Sequence, residues 1–342
     1  MDAAAATVLV SQMRPRDWWP RVAAAMIQSP MSFRPGHLML LALLACGIAL
    51  ARAPHGGEGR ADIPSDVAER IARPFPRKLG EVTVSAPPQR IVAASVFSAE
   101  TLLEIAPASR MAGVHFLAAD ARYSRVADKA ASMPLLGASP EQLIAARPDL
   151  VVIDEFTLAD TAILLRSFGI PVVRTRPVAS FDDVAANIRL LGFATGADKE
   201  AEALCERMFA RREAIREAGK SLGAWRVMNC NGALDTYGAR SLLDDAVRIA
   251  GASHLPADHG VGGYCKLDVE TVLGWRPDAL LVSVGDNDDA AWVGQHPGLR
   301  LLPCVQRGRV ARIPASLLSS TSHHAIEVAA LLQQTLVAWE KP

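Results

Sequence analysis

Aromatic side chains are scarce in these 342 residues, making up 5% of the chain. The few that fall in loops therefore carry more information than usual. Charge of one sign is also missing, since 36 Lys and Arg balance 36 Asp and Glu. That balance, with no long basic run, argues against a nucleic-acid-binding surface. There is no G-x-S-x-G elbow and no Walker A sequence, so neither that hydrolase chemistry nor ATP hydrolysis by this chain is expected. Gly260-Val-Gly262-Gly263 lacks the strand that should immediately precede a dinucleotide loop. The five cysteines show no C-x-x-C spacing and no histidine at zinc-finger distance. His323 and His324 are adjacent, so on a helix their side chains point about 100° apart. With His115, His254, His259 and His296 scattered, no dedicated metal site and no catalytic constellation is expected.

What is present reads as a globular secreted protein, with 50% hydrophobic and 21% charged residues. The length allows one or two domains with real cores. Basic residues after Met31 lead into the apolar run Leu38–Leu50, which is short for a bilayer span. Ala51-Arg52-Ala53 supplies small residues for cleavage, so residues 1–53 read as an upstream extension plus signal peptide ending near Ala53. Leu43-Leu44-Ala45-Cys46 offers an alternative, a lipobox with the lipid on Cys46. Of the cysteines beyond it, Cys205 is expected to be a buried free thiol.

One phrase occurs twice. Residues 138–154 and 267–283 each carry a Glu in a short helix, then Arg-Pro-Asp, then a fully apolar strand. Glu141 and Glu270 hold the same distance to Pro148 and Pro277. The copies start too far apart for a stacked repeat array and about right for two similar lobes. Ser139 with Gln142, and Asp268, supply helix caps, which accounts for acidity in each first turn. Capping does not account for the same acid in the same frame twice. Two matched carboxylates on two lobes suit a two-fold symmetric partner with basic sockets.

Strands and helices alternate around both copies, which predicts an α/β fold of two Rossmann-like lobes with mainly parallel sheets. Residues 54–87 read as a flexible lead-in, 88–179 as the first lobe, 180–219 as linker helices and 220–342 as the second lobe. Asp198 is expected to cap a long helix with Ala201, Leu204, Cys205, Met208 and Ile215 on its apolar face. No Gly/Ser-rich linker occurs, so one long rigid helix joins the lobes.

The order and spacing of these features resemble the periplasmic substrate-binding proteins of ABC importers for iron chelates and cobalamin. The resemblance covers roughly residues 88–340. It rests on Ser95 with Glu100, Glu141 with Pro148-Asp149, Leu191-Gly192 with Thr195-Gly196, Glu270 with Pro277-Asp278, and Ala250-Gly251. It implies the helical-backbone binding-protein fold, a periplasmic location, no catalysis, no cofactor of its own, and a monomer that docks on a membrane permease with its ATPase. Glu141 and Glu270 would meet permease arginines. A metal chelate would lie between the lobes: a ferric siderophore, a corrinoid or haem.

Candidate ligand contacts are the loop residues expected at strand ends. In the first lobe these are Phe97, Ser98, His115, Phe116, Tyr123, Arg125 and Phe156. The second lobe offers Tyr237, Tyr264, Trp292, His323 and His324. Aromatics suit flat ligands and Arg125 an anionic chelate. Each is equally explained as a lid on the core. Where cobalamin binders tend to carry an aromatic and an Arg, this chain has Ser319-Ser320-Thr321-Ser322-His323-His324, which leaves room for haem. A secreted metal-dependent enzyme and a ligand-sensing receptor stay open as alternatives.

Overall fold

The computed structural model describes residues 64–285 and 289–340. The signal peptide near Ala53 and the alternative lipid site at Cys46 lie outside the described residues. No helix among the described residues is long and apolar enough to cross a membrane. The described residues fall within one compact unit.

Thirteen short strands are described. β1 (Arg77–Leu79) and β2 (Val82–Val84) pair as an antiparallel hairpin. β3 (Ile91–Ala93), β4 (Met111–His115), β5 (Leu135–Leu136), β6 (Leu150–Ile153) and β7 (Val172–Arg174) make a parallel sheet in the order β5-β4-β3-β6-β7. β8 (Arg226–Asn229), β10 (Ser253–His254), β12 (Ala279–Val284) and β13 (Val310–Pro314) make a second parallel sheet, ordered β10-β8-β12-β13. β9 (Asp235–Tyr237) and β11 (Tyr264–Lys266) pair antiparallel at its side.

β6 and the first four residues of β12 are apolar because both of their faces are covered there; Ser283 near the end of β12 is exposed. In β6, Leu150 and Val152 face the main core, while Val151 and Ile153 face a cluster with Leu143, Ala162 and Leu165. In β12, Ala279 and Leu281 face the main core, while Leu280 and Val282 join a second cluster with Val272 and Val293. The main core is continuous across both sheets through the linker residues Phe181, Ile188, Leu191, Leu204, Cys205 and Met208.

The linker is two helices. Phe181–Thr195 ends on Gly196 at φ 74°, a left-handed position that suits glycine. Asp198–Gly219 follows, a 22-residue rod about 33 Å long. At Gly192 the helices approach so closely that an added Cβ would collide with that of Ala201. Cys205 is buried here, its thiol pushed up to about 12 by burial, as the expected inert thiol. Cys205, Cys230, Cys265 and Cys304 are all unbridged.

The structure corrects three sequence expectations. The described part of the lead-in is folded: helix Val67–Ala72 and the β1–β2 hairpin clip onto the linker. Arg77 drives this, buried between the rings of Phe75 and Phe193 and paired at 2.5 Å with Asp198. Asp198 is therefore the first residue of its helix and not its cap, its carboxylate drawn to Arg77. Finally, Ser139 and Gln142 form only half a capping box. Gln142 N–H donates to Ser139 Oγ, but the Gln142 side chain accepts from Gly137 N–H at 2.6 Å.

Candidate functional site

The duplicated phrase folds alike in both lobes. Arg147 and Arg276 close their helices at φ 48° and 49°. Asp149 then accepts the backbone N–H groups of Gln89 and Arg90 at 2.6 and 2.8 Å, ahead of β3. Asp278 accepts the N–H of Arg226, where β8 begins, at 3.1 Å. The guanidiniums of Arg90 and Arg226 turn back to the carbonyls of Arg147 and Arg276. Arg-Pro-Asp is thus a device that ends a helix and pins the next strand's neighbour. Glu141 and Glu270 take no part in it; both are exposed in first turns.

The loop beyond β4 meets the C-terminal ends of the parallel strands β12 and β13, and strand ends are the usual place for a ligand in open α/β sheets. A cavity of about 260 Å³ lies there. Ala121 and Arg122 line it from the first lobe, and Val284, Gly285, Pro314, Ala315 and Ser316 from the ends of β12 and β13. Apart from Arg122 its walls are small side chains and backbone. Arg122 forms a fork with Asp120, closest contact 2.6 Å, and its guanidinium lies 5.6 Å from the Tyr123 ring centre.

A buried carboxylate ties the segment after Arg122 to the segment after Ser316. Glu100 is fully buried on helix Val96–Ile105. Its Oε1 accepts from Ser124 Oγ at 3.1 Å and Arg125 N–H at 2.8 Å. Its Oε2 accepts from Ser320 Oγ at 3.0 Å and Ser322 Oγ at 2.5 Å.

Seven of the predicted contacts fall into three groups. Tyr123 and Arg125 are exposed on the loop that supplies Arg122. His115 and Phe116 follow β4, with ring centres 4.6 Å apart, and Phe116 and Phe156 are 47% and 69% exposed. Burial holds His115 below the usual imidazole range, against the pull of Asp154. Tyr237 and Tyr264 are direct cross-strand partners on β9 and β11, half exposed, with ring centres 5.1 Å apart. Burial, then a hydrogen bond to Asp235, pushes the Tyr264 hydroxyl up to about 12.

Phe97 and Ser98 are corrections. Helix Val96–Ile105, capped by Ser95, takes both residues into its first turn. Ser98 is fully buried and closes a capping box with Ser95, and Phe97 packs in the main core. Neither presents a surface to a ligand. Trp292 is half-buried against Gly232 and the second lobe's outer cluster.

The rings of His323 and His324 lie with centres 4.0 Å apart, tilted by 39°, and His323 Nδ1 and His324 Nε2 are buried without a partner. Burial pushes His323 down to about 3, with His324, Arg207 and Lys129 adding to it. Burial also lowers His324, against Glu100 and Glu104. Among the described residues no group of three His, Cys, Asp or Glu could hold a metal ion.

Sequence reasoning missed most of the cavity wall, because Ala121, Gly285, Pro314 and Ala315 have no reactive side chain to single out. The Ser320–Ser322 pair was legible only as a departure from an aromatic and an Arg.

The model of the periplasmic binding protein family matches residues 91–317, and the chain belongs to that family. An ABC transporter substrate-binding lipoprotein of Bacillus subtilis, itself of uncharacterized role, is 23% identical over 300 residues, covering 84% of this chain and 92% of that one. A cobalamin-binding protein of Halobacterium salinarum is 23% identical over 303 residues, 85% of this chain and 80% of its own. Among solved structures, an ABC-type Fe3+-hydroxamate transport protein of Saccharomonospora viridis shares the fold. Its TM-score is 0.61 at 22% identity, covering 76% of this chain and 99% of that one.

Proposed function

We propose that this chain is the solute-binding component of an ABC importer. It takes an iron chelate or a corrinoid into the cleft between lobes at about residues 88–179 and 220–342, outside the cytoplasmic membrane, and delivers it to the permease. Family membership together with a cavity between the loop beyond β4 and the ends of β12 and β13 carries this reading. The relatives that bind cobalamin or transport Fe3+-hydroxamate support the ligand class. The cavity is smaller than the ~300–1,000 Å³ common for small-molecule sites, so a bulky chelate would lie partly outside it. Tyr123 adjoins the cavity-lining Arg122, and it is proposed to cover the flat face that remains together with the half-exposed rings of Phe116, Tyr237 and Tyr264.

Haem is the second reading. Tyr123 is exposed one residue from the cavity-lining Arg122, and a tyrosine oxygen can ligate haem iron. Tyr264 is less suited, because its proton is held by burial and Asp235. Glu141 and Glu270 are proposed as the docking carboxylates. Each stands exposed at the same point of its lobe, and neither is used by the scaffold.

The test is titration of the purified protein with a ferric hydroxamate, cyanocobalamin and haemin. One of them should bind with Kd below about 10 μM, roughly −7 kcal/mol. Failure of all three overturns the ligand class.

A further inference from the structure

We infer that Glu100, which touches no cavity surface, is the positioning residue that holds both walls of the cleft in register. The inference rests on the cleft being the ligand site. The two oxygens of one carboxylate are divided between the lobes. Oε1 takes two donors from the first lobe, Ser124 and Arg125, while Oε2 takes two from the second, Ser320 and Ser322. Ser124 lies two residues beyond Arg122, and Ser320 four beyond Ser316, both of which line the cavity.

Each anchor is also tied into its own segment. Ser124 Oγ accepts from Val126 N–H, and Ser124 N–H donates to Asp120 O. Ser320 Oγ accepts from Ser322 N–H, and Ser322 Oγ from His324 N–H. Movement of the carboxylate would therefore carry the 120–126 loop and the 319–324 turn together.

The chemistry explains why a carboxylate is used. An ionised carboxylate is an acceptor only, and all four neighbours can donate. Hydrogen bonds to an ionised group are shorter and stronger than neutral ones, and more so away from water. Glu100, Ser124, Ser320 and Ser322 are all within the buried set. A glutamine can replace it only one way round. The N–H of Arg125 cannot accept, so the amide oxygen must keep the Oε1 position. The amide NH2 then faces Ser320 and Ser322, whose hydroxyls can rotate to accept.

Hydrogen exchange by mass spectrometry on the ligand-free protein tests this. Glu100→Ala should raise exchange about tenfold in both 120–126 and 319–324, with β6 and β12 unchanged. Glu100→Gln should keep protection of 120–126 near that of the unaltered protein. Ser320→Ala with Ser322→Ala should release 319–324 alone. Uniform exchange across the molecule, or two unmoved segments, would overturn the inference and leave the importer reading untouched. For any of the three probes that binds, Glu100→Ala should raise Kd about tenfold and Glu100→Gln by less than about threefold. Released segments with an unchanged Kd would equally overturn it.

Discussion

The two lobes are built alike and finished differently. Arg147 and Arg276 share one unusual backbone conformation, and Asp149 and Asp278 pin the start of a neighbouring strand in the same way. Past the duplicated strands the likeness ends. The first lobe continues into Phe156 and Leu158, each 69% exposed, with Ile163 and Phe168 at 62% on and after the next helix. The second lobe continues through Asp289 to Trp292, which lies half-buried on its own core. Duplication therefore preserves what closes a helix and starts a strand. The cavity wall and the Glu100 hydrogen bonds fall on residues that occur once.

The largest expected effect breaks the symmetry of the two carboxylates. Glu141→Arg combined with Glu270→Arg should abolish uptake in whole cells while ligand affinity stays within about twofold, since only rim charge is reversed. Each single change should cost about the same if docking is two-fold symmetric. Transport at full rate by the double variant would remove the docking role. Unequal singles would show that the exposed apolar residues of the first lobe share the load.

The seam between the lobes supplies the next effect. His323 has no counterpart in the duplicated phrase and is held neutral by burial, beside His324, Arg207 and Lys129. Its folded value of about 3 lies below the unfolded value of about 6.5, so the unfolded chain binds more protons between them. Stability is therefore full above about pH 6.5 and lost as pH falls toward 3, by on the order of 3 kcal/mol at pH 4. Urea unfolding from pH 7 to 4 should show this slope, and His323→Gln should flatten it. An unchanged slope in the variant would place the acid sensitivity elsewhere.

The two pins give a smaller and more equal pair. Asp149→Ala removes the acceptor of two backbone N–H groups and should destabilise by about 2 kcal/mol. Asp278→Ala loses one backbone N–H and a half-exposed guanidinium, and should cost less, about 1–2 kcal/mol. Burial raises Asp278, but the Arg226 hydrogen bonds outweigh it and hold the group below the ordinary carboxylate range. Equal losses would mean that the side-chain bonds of Arg226 matter as much as a backbone donor.

How much was legible follows from the same division. Periodicity and Arg-Pro-Asp revealed both sheets, because apolar strands covered on two faces and helix ends have strong local signatures. The β1–β2 hairpin was illegible, because Arg77 reads as a surface charge until Asp198, Phe75 and Phe193 surround it. The same holds for Phe97, which follows a strand like a cleft residue but turns into the core. Glu100 was visible as part of a family pattern, yet its partners Ser320 and Ser322 lie more than two hundred residues away. Polar contacts at that separation leave no periodic trace.

The smallest test compares the two caps. Ser139 Oγ accepts from Gln142 N–H at 3.4 Å, a long bond from a group that does not titrate. Asp268 accepts from Thr271 N–H at 2.7 Å, and that bond holds its carboxyl below the ordinary range. Ser139→Ala should cost at most about 1 kcal/mol, at every pH. Asp268→Ala should destabilise at neutral pH and converge on the unaltered protein in acid. A carboxylate whose folded value is depressed contributes above its unfolded value, near 4, and loses that contribution as pH falls through the folded one. Differences between variant and unaltered protein, taken by urea unfolding at each pH, cancel the His323 slope common to both. If both caps are pH-independent, the helix of the second lobe is held by Val272 in its core and not by the charge at its start.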